Sequence, residues 1–185
     1  MASPAEAALT WSELQTWPDD GLRYELIDGA LQVSPAPSYR HQRVVNRISA
    51  DLTVWADQHG GQVLSGPFDV YVHEREYVEP DLLFVCAERA HLFTERRLPA
   101  PPDLVVEVSS PSTHSVDAGA KRDLYERFAV PEYWLVDLDA DMVLVHRLGA
   151  GAGGYAVPSR RARGDVLDCV GAPGFDSPVA RILDA

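Results

Sequence analysis

The chain is punctuated by short apolar runs whose period switches between that of a strand and that of a helix. Arg23-Tyr24-Glu25-Leu26-Ile27 and Ala30-Leu31-Gln32-Val33-Ser34 flank Asp28-Gly29, and Asp-Gly between two such runs predicts a hairpin, because a type I′ turn needs positive φ at both central residues. After Pro35-Ala36-Pro37-Ser38, the residues Val44, Val45, Ile48, Leu52 and Trp55 recur at the helical period. They predict a helix over Tyr39 to His59 that Gly60-Gly61 stops. Strands are expected at Gln62 to Ser65, Phe68 to His73 and Pro80 to Val85, then a charged, proline-containing loop from Ala87 to Pro102. A helix from about Ser115 to Ala129 carries the stripe Ala120, Leu124, Phe128, and a second hairpin joins Glu132–Asp137 to Met142–His146 through Asp139-Ala140-Asp141. Near the N-terminus, Thr10 and Glu13 form a capping-box pattern for a short helix that Asp19-Asp20-Gly21 ends. Gly149 to Gly154 reads as a loop tip, and Arg160, Arg161 and Arg163 as a solvated turn. The apolar residues of the last segment are expected to dock on the core.

One run breaks its own pattern. Pro102-Asp103-Leu104-Val105-Val106-Glu107-Val108-Ser109-Ser110-Pro111 is a β-branched strand with a carboxylate at its centre. Alternation puts Asp103, Val105, Glu107 and Ser109 on one face and Leu104, Val106 and Val108 on the other, so Glu107 points into the fold. Burying a lone carboxylate costs several kcal/mol, so a partner is required. Asp81 stands at the entrance of Leu82-Leu83-Phe84-Val85, and if the two strands are neighbours both carboxylates meet at one sheet edge. Lys121 falls between Tyr125 and Phe128 on the helical wheel, on the sheet-facing side. Its simplest partner is Asp117 one turn earlier, an exposed pair worth only about 0.2–0.5 kcal/mol. His41 lies on the apolar stripe of the long helix, where a histidine bonded to a neighbouring loop is the bland reading. Arg40, Arg43 and Arg47 share another face, read as solvated surface.

Composition narrows the classes. With 185 residues, an apolar fraction of 46% and no low-complexity stretch, the chain is expected to be one domain over 1–185, its core about 22–148 and residues 149–185 a C-terminal extension. No apolar run reaches the roughly 18–20 residues of a membrane span, and no signal segment opens the chain, which is expected to be cytoplasmic and to bind no membrane. Cys86 and Cys169 lack zinc or disulfide spacing and read as core residues. The formal net charge of −12 opposes a broadly basic nucleic-acid face. Any contact with nucleic acid must be local or mediated by divalent cations.

Glu25, Asp81, Glu107 and Lys121 point to one chemistry. Carboxylates gathered from separate strands suit a hard cation, Mg²⁺ or Mn²⁺. Such an ion acts as a Lewis acid in phosphodiester cleavage, with a lysine near the charge that develops. In this reading Asp81 and Glu107 are ligands, Glu25 a third ligand or water-orienting group, and Lys121 positions or activates the attacking water or stabilises the transition state. A non-catalytic nucleic-acid or protein-binding module that keeps the fold is the alternative, and the acidic charge favours it. A two-carboxylate glycosidase is opposed by the inward lysine and the lack of an aromatic cluster beside the carboxylates.

The same residues carry a resemblance. Tyr24-Glu25-Leu26-Ile27-Asp28-Gly29, Pro35-Ala36-Pro37 with His41, Pro80-Asp81-Leu82, Asp103-Leu104-Val105-Val106-Glu107-Val108 with Ser110-Pro111-Ser112, Lys121 with Tyr125, and Pro131-Glu132-Tyr133-Trp134 resemble the Uma2 family of restriction-endonuclease-like proteins, in the PD-(D/E)xK nuclease superfamily, from about Tyr24 to about Leu148. The resemblance implies an α/β (α+β) fold with a mixed sheet flanked by helices and an N-terminal hairpin, a divalent-metal site on Asp81 and Glu107, and a catalytic role for Lys121. It makes Glu25 and His41 site residues and DNA the expected partner. The superfamily's lysine, two residues past the acidic ligand, is here Ser109, and the amine moves to Lys121. By analogy with nucleases that cut both strands, a homodimer is expected.

Overall fold

The computed structural model describes residues 8–18, 20–149, 151 and 153–184. The expectations for Met1-Ala2-Ser3-Pro4, for Asp19 and for Ala150 and Ala152 fall outside these.

The chain begins with α1 (Trp11–Leu14), closed by the expected capping box of Thr10 and Glu13. The predicted hairpin follows as β1 (Arg23–Ile27) and β2 (Ala30–Ser34), with φ of 54° at Asp28 and 77° at Gly29, the type I′ signature. Gly29 is required twice over, since a Cβ there would stand 2.5 Å from that of Ala8. Helix α2 spans Tyr39–His59, capped by the Ser38 side chain, and buries Val44, Val45, Ile48 and Leu52. Strands β3 (Gln62–Ser65), β4 (Asp69–His73), β5 (Glu76–Val78) and β6 (Leu82–Val85) precede a 3₁₀ turn at Ala87–Leu92 and the short β7 (Arg97–Leu98). The loop expected from Ala87 to Pro102 therefore holds two small elements. β8 (Leu104–Ser109) leads through a π-helical turn at Val116–Lys121 into α3 (Arg122–Arg127), then β9 (Glu132–Asp137) and β10 (Met142–Arg147). The chain finishes with β11 (Ser159–Arg161), β12 (Val166–Cys169), β13 (Ala172–Pro178) and α4 (Val179–Leu183).

A six-stranded sheet in the order β11-β10-β9-β8-β6-β3 forms the centre, mixed because β8 and β9 run parallel. Both its faces are dry. Leu104, Val106 and Val108 of β8 pack under α2, together with Leu167, Phe175, Ile182 and Leu183 from the C-terminal segment. Val105, on the opposite face, packs with Leu124 and Tyr125 of α3 and with Val70, Val78 and Leu98 of a second sheet, ordered β2-β1-β5-β4-β7. The docking expected of the tail is thus observed. The basic triplet is not a bare turn: Arg160 and Arg161 lie on β11, antiparallel to β10, and Arg163 bonds Asp141 and Asp184. Among the described residues no helix is long and apolar enough to cross a membrane.

Candidate active site

β8 and β6 are neighbours in antiparallel register, Leu82 opposite Val106, so the next step outward brings Asp81 level with Glu107. The side chain of Asp81 caps the join, its Oδ2 accepting the Val108 amide at 2.9 Å. The same oxygen accepts from His41 Nε2 at 3.0 Å, and Oδ1 accepts from Arg23 at 3.2 Å. Helix α2 delivers His41 because Ser38 caps it at the sheet end, which puts its first turn beside Asp81. Burial alone would raise the Asp81 carboxyl, but His41, Arg23 and Lys121 overcome it and hold the group well below the usual carboxylate range.

Glu107 is 1% exposed. Its Oε1 accepts from Lys121 at 3.0 Å and from the Tyr125 hydroxyl at 2.6 Å. The Lys121 ammonium also lies 2.9 Å from Glu25 Oε1, which takes the Glu79 amide as well, and 4.0 Å from Asp117. Lys121 sits in a π-helical turn, whose Asp117 carbonyl accepts from the Tyr133 hydroxyl at 3.0 Å. Burial opposes the charge on Lys121, yet Glu107, Glu25 and Asp117 raise its pKa and keep it protonated. Burial pushes Glu107 up to about 8 against the pull of Lys121, with Asp81, Asp117 and Glu25 adding to the rise.

A cavity of about 280 Å³ opens on this cluster, bordered by Arg23, Pro37, His41, Asp81, Glu107, Lys121, Asp117 and the hydroxyl residues Ser110, Ser112 and Thr113. The structure therefore brings Asp81, Glu107, Lys121 and His41 to one wall. Glu25 does not line the cavity and stands behind Lys121. Ser109, at the superfamily's lysine position, is buried and bonded to the Val136 carbonyl and to His114. Arg23 was not anticipated. Its signal was present, because Arg23 and Glu25 are two apart on a strand and share a face. Tyr125 and Tyr133 stand in the motifs that carry the family resemblance, but their hydroxyl contacts cross elements and follow from packing alone.

The donor chemistry suits a divalent cation: Asp81 and Glu107 supply hard oxygens at a cavity whose carboxylates outnumber their lysine. Among the described residues no three His, Cys, Asp or Glu side chains converge as a cage.

The family model described as "Uma2: Putative restriction endonuclease" matches residues 11–180. A crystal structure described as "a putative nuclease belonging to DUF820", from Anabaena variabilis ATCC 29413, superposes with a TM-score of 0.78 at 14% identity, covering 95% of this chain and 98% of that one. At that identity the likeness is one of fold. No curated protein matches the chain.

Proposed function

This chain belongs to the Uma2 family, and on that premise we propose that it is a divalent-metal-dependent endonuclease that hydrolyses phosphodiester bonds of DNA. The observation that carries the reading is Asp81 and Glu107 on one cavity wall with the buried, protonated Lys121 against Glu107. Asp81 and Glu107 would hold Mg²⁺ or Mn²⁺, which supplies a Lewis acid for the phosphoryl oxygens when bound. Water attacks phosphorus and gives up its proton to bulk solvent as the new P–O bond forms, one P–O bond to sugar breaks, and the departing alkoxide takes up a proton from solvent. Lys121 serves as a cation for the charge that develops, not as a base, because its carboxylate neighbours keep it protonated. Glu25 and Asp117 aim that ammonium. His41 and Arg23 keep Asp81 ionised, and the Arg23 guanidinium adds positive charge beside the attacked phosphate. Cutting both strands of a duplex calls for two such sites, hence a homodimer.

The test is cleavage of supercoiled plasmid and of labelled oligonucleotides with Mg²⁺ or Mn²⁺, against chelator, for wild type, Asp81→Asn and Lys121→Met. Metal-dependent cleavage lost in variants that retain their fold supports the assignment; cleavage unchanged in Asp81→Asn overturns it.

One observation favours the alternative of a non-catalytic binding module. Every carboxylate named here already has a cation or an amide donor within reach, so the cluster holds together without an ion. Oligonucleotide binding without cleavage under both metals is the result that selects this second reading.

A further inference from the structure

A second cavity, about 390 Å³, shares Arg23, Pro37, His41 and Asp81 with the carboxylate cavity, so these four residues form the wall between the two. Its remaining surface includes Leu22, 54% exposed, the side chain of Gln42 in the first turns of α2, and the Glu79 carboxyl that accepts from the Tyr77 hydroxyl. Its volume falls in the range of small-molecule sites, and its make-up matches theirs: an apolar face with a few polar groups able to fix an orientation. In the dividing wall, His41 Nδ1 and Arg23 Nε are buried and have no hydrogen-bond partner.

Resting on the nuclease reading above, we propose that this second cavity takes the nucleobase of the nucleotide next to the attacked phosphate. Leu22 packs against the face of the base, while the Gln42 amide and the Glu79 carboxyl meet its hydrogen-bonding edge. The connectivity of a nucleotide suits this division, since base and phosphate hang from one sugar and the two cavities share one wall. Electrostatics gives the pocket its purpose. A chain of net charge −12 gains little from general phosphate attraction, and a base held outside the stack supplies binding energy that does not depend on neutralising phosphates. The bound nucleotide is then unpaired, either in a single strand or turned out of a duplex.

The experiment titrates the four deoxynucleoside 5′-monophosphates and 2-deoxyribose 5-phosphate into the protein with Mg²⁺ present, by calorimetry, for wild type, Gln42→Trp and Gln42→Ala. None of these ligands has a phosphodiester to cut. At least one nucleotide should bind at least about tenfold more tightly than the baseless sugar phosphate. Gln42→Trp, which fills the cavity, should abolish that advantage and leave sugar phosphate affinity unchanged, while Gln42→Ala should alter which base is preferred. Equal affinity for nucleotides and sugar phosphate in a wild type that cleaves DNA overturns the pocket and leaves the nuclease reading standing. A wild type that binds none of the ligands and cleaves nothing overturns both.

Discussion

Lys121 Nζ donates to Glu107 Oε1 across 3.0 Å, joining a π-helical turn to the central strand of the sheet in a site almost closed to water. Removing either partner leaves a buried charge without its counterpart, a loss of about 3–5 kcal/mol. Lys121→Met should therefore destabilise by roughly that amount in urea unfolding, and Lys121→Met/Glu107→Leu by clearly less than the sum of its single changes. Additive losses would show that the two groups are not coupled.

The crowded carboxylates predict a stabilising ion. Mn²⁺ should raise the thermal midpoint of wild type, because a ligand that binds only the folded state stabilises it by mass action. Glu107→Gln should lose most of this rise. A wild-type midpoint that Mn²⁺ at millimolar concentration fails to move speaks against any ion at this site.

Tyr133 presents a quieter test. Its hydroxyl donates to the buried Asp117 carbonyl within the π-helical turn. Tyr133→Phe removes this donor, a cost of about 0.5–1.5 kcal/mol. If the nuclease reading holds, turnover should fall while oligonucleotide affinity stays near that of wild type, since the change acts on how Lys121 is aimed. Affinity that falls along with turnover would mean that the substitution disturbs the cavity more widely.

His146 sets an acid limit. It is 5% exposed, its ring stacks near Tyr133 with centroids 5.5 Å apart, and its Nδ1 has no partner. Burial lowers its pKa below the ordinary 6.5, Arg122 adding to the effect and Glu126 opposing it. A depressed folded value means that this contribution to stability is complete above about pH 6.5 and is lost as pH falls through the lowered value. The thermal midpoint of wild type should drop between pH 6.5 and 5 more steeply than that of His146→Phe. Parallel curves would assign the acid sensitivity elsewhere.

Much of the site was legible in the residues. A carboxylate inside Val105-Val106-Glu107-Val108 must point inward because strand alternation leaves it no other direction, and Asp81 at the mouth of an apolar strand is the natural neighbour once the two strands pair. The Asp-Gly turn, the long α2 and its caps follow from local backbone preferences that need no tertiary contact. β5 and β7 escaped notice because two- or three-residue strands are held by their neighbours in the sheet, not by their own pattern. Ser159–Arg161 escaped because charged residues on an edge strand look like a turn.

By itself the sequence determined the first hairpin, the long α2, the inward carboxylates and the acidic charge, all of which depend on residue type and spacing along the chain. Tertiary structure alone decided that Glu25 stands behind Lys121 while Asp81 faces the cavity, that Arg23 and His41 share Asp81, and that a second cavity lies beyond them. Those outcomes depend on the order of strands in two sheets and on one π-helical turn. Distances between side chains far apart in the chain are fixed by packing, which no local period encodes.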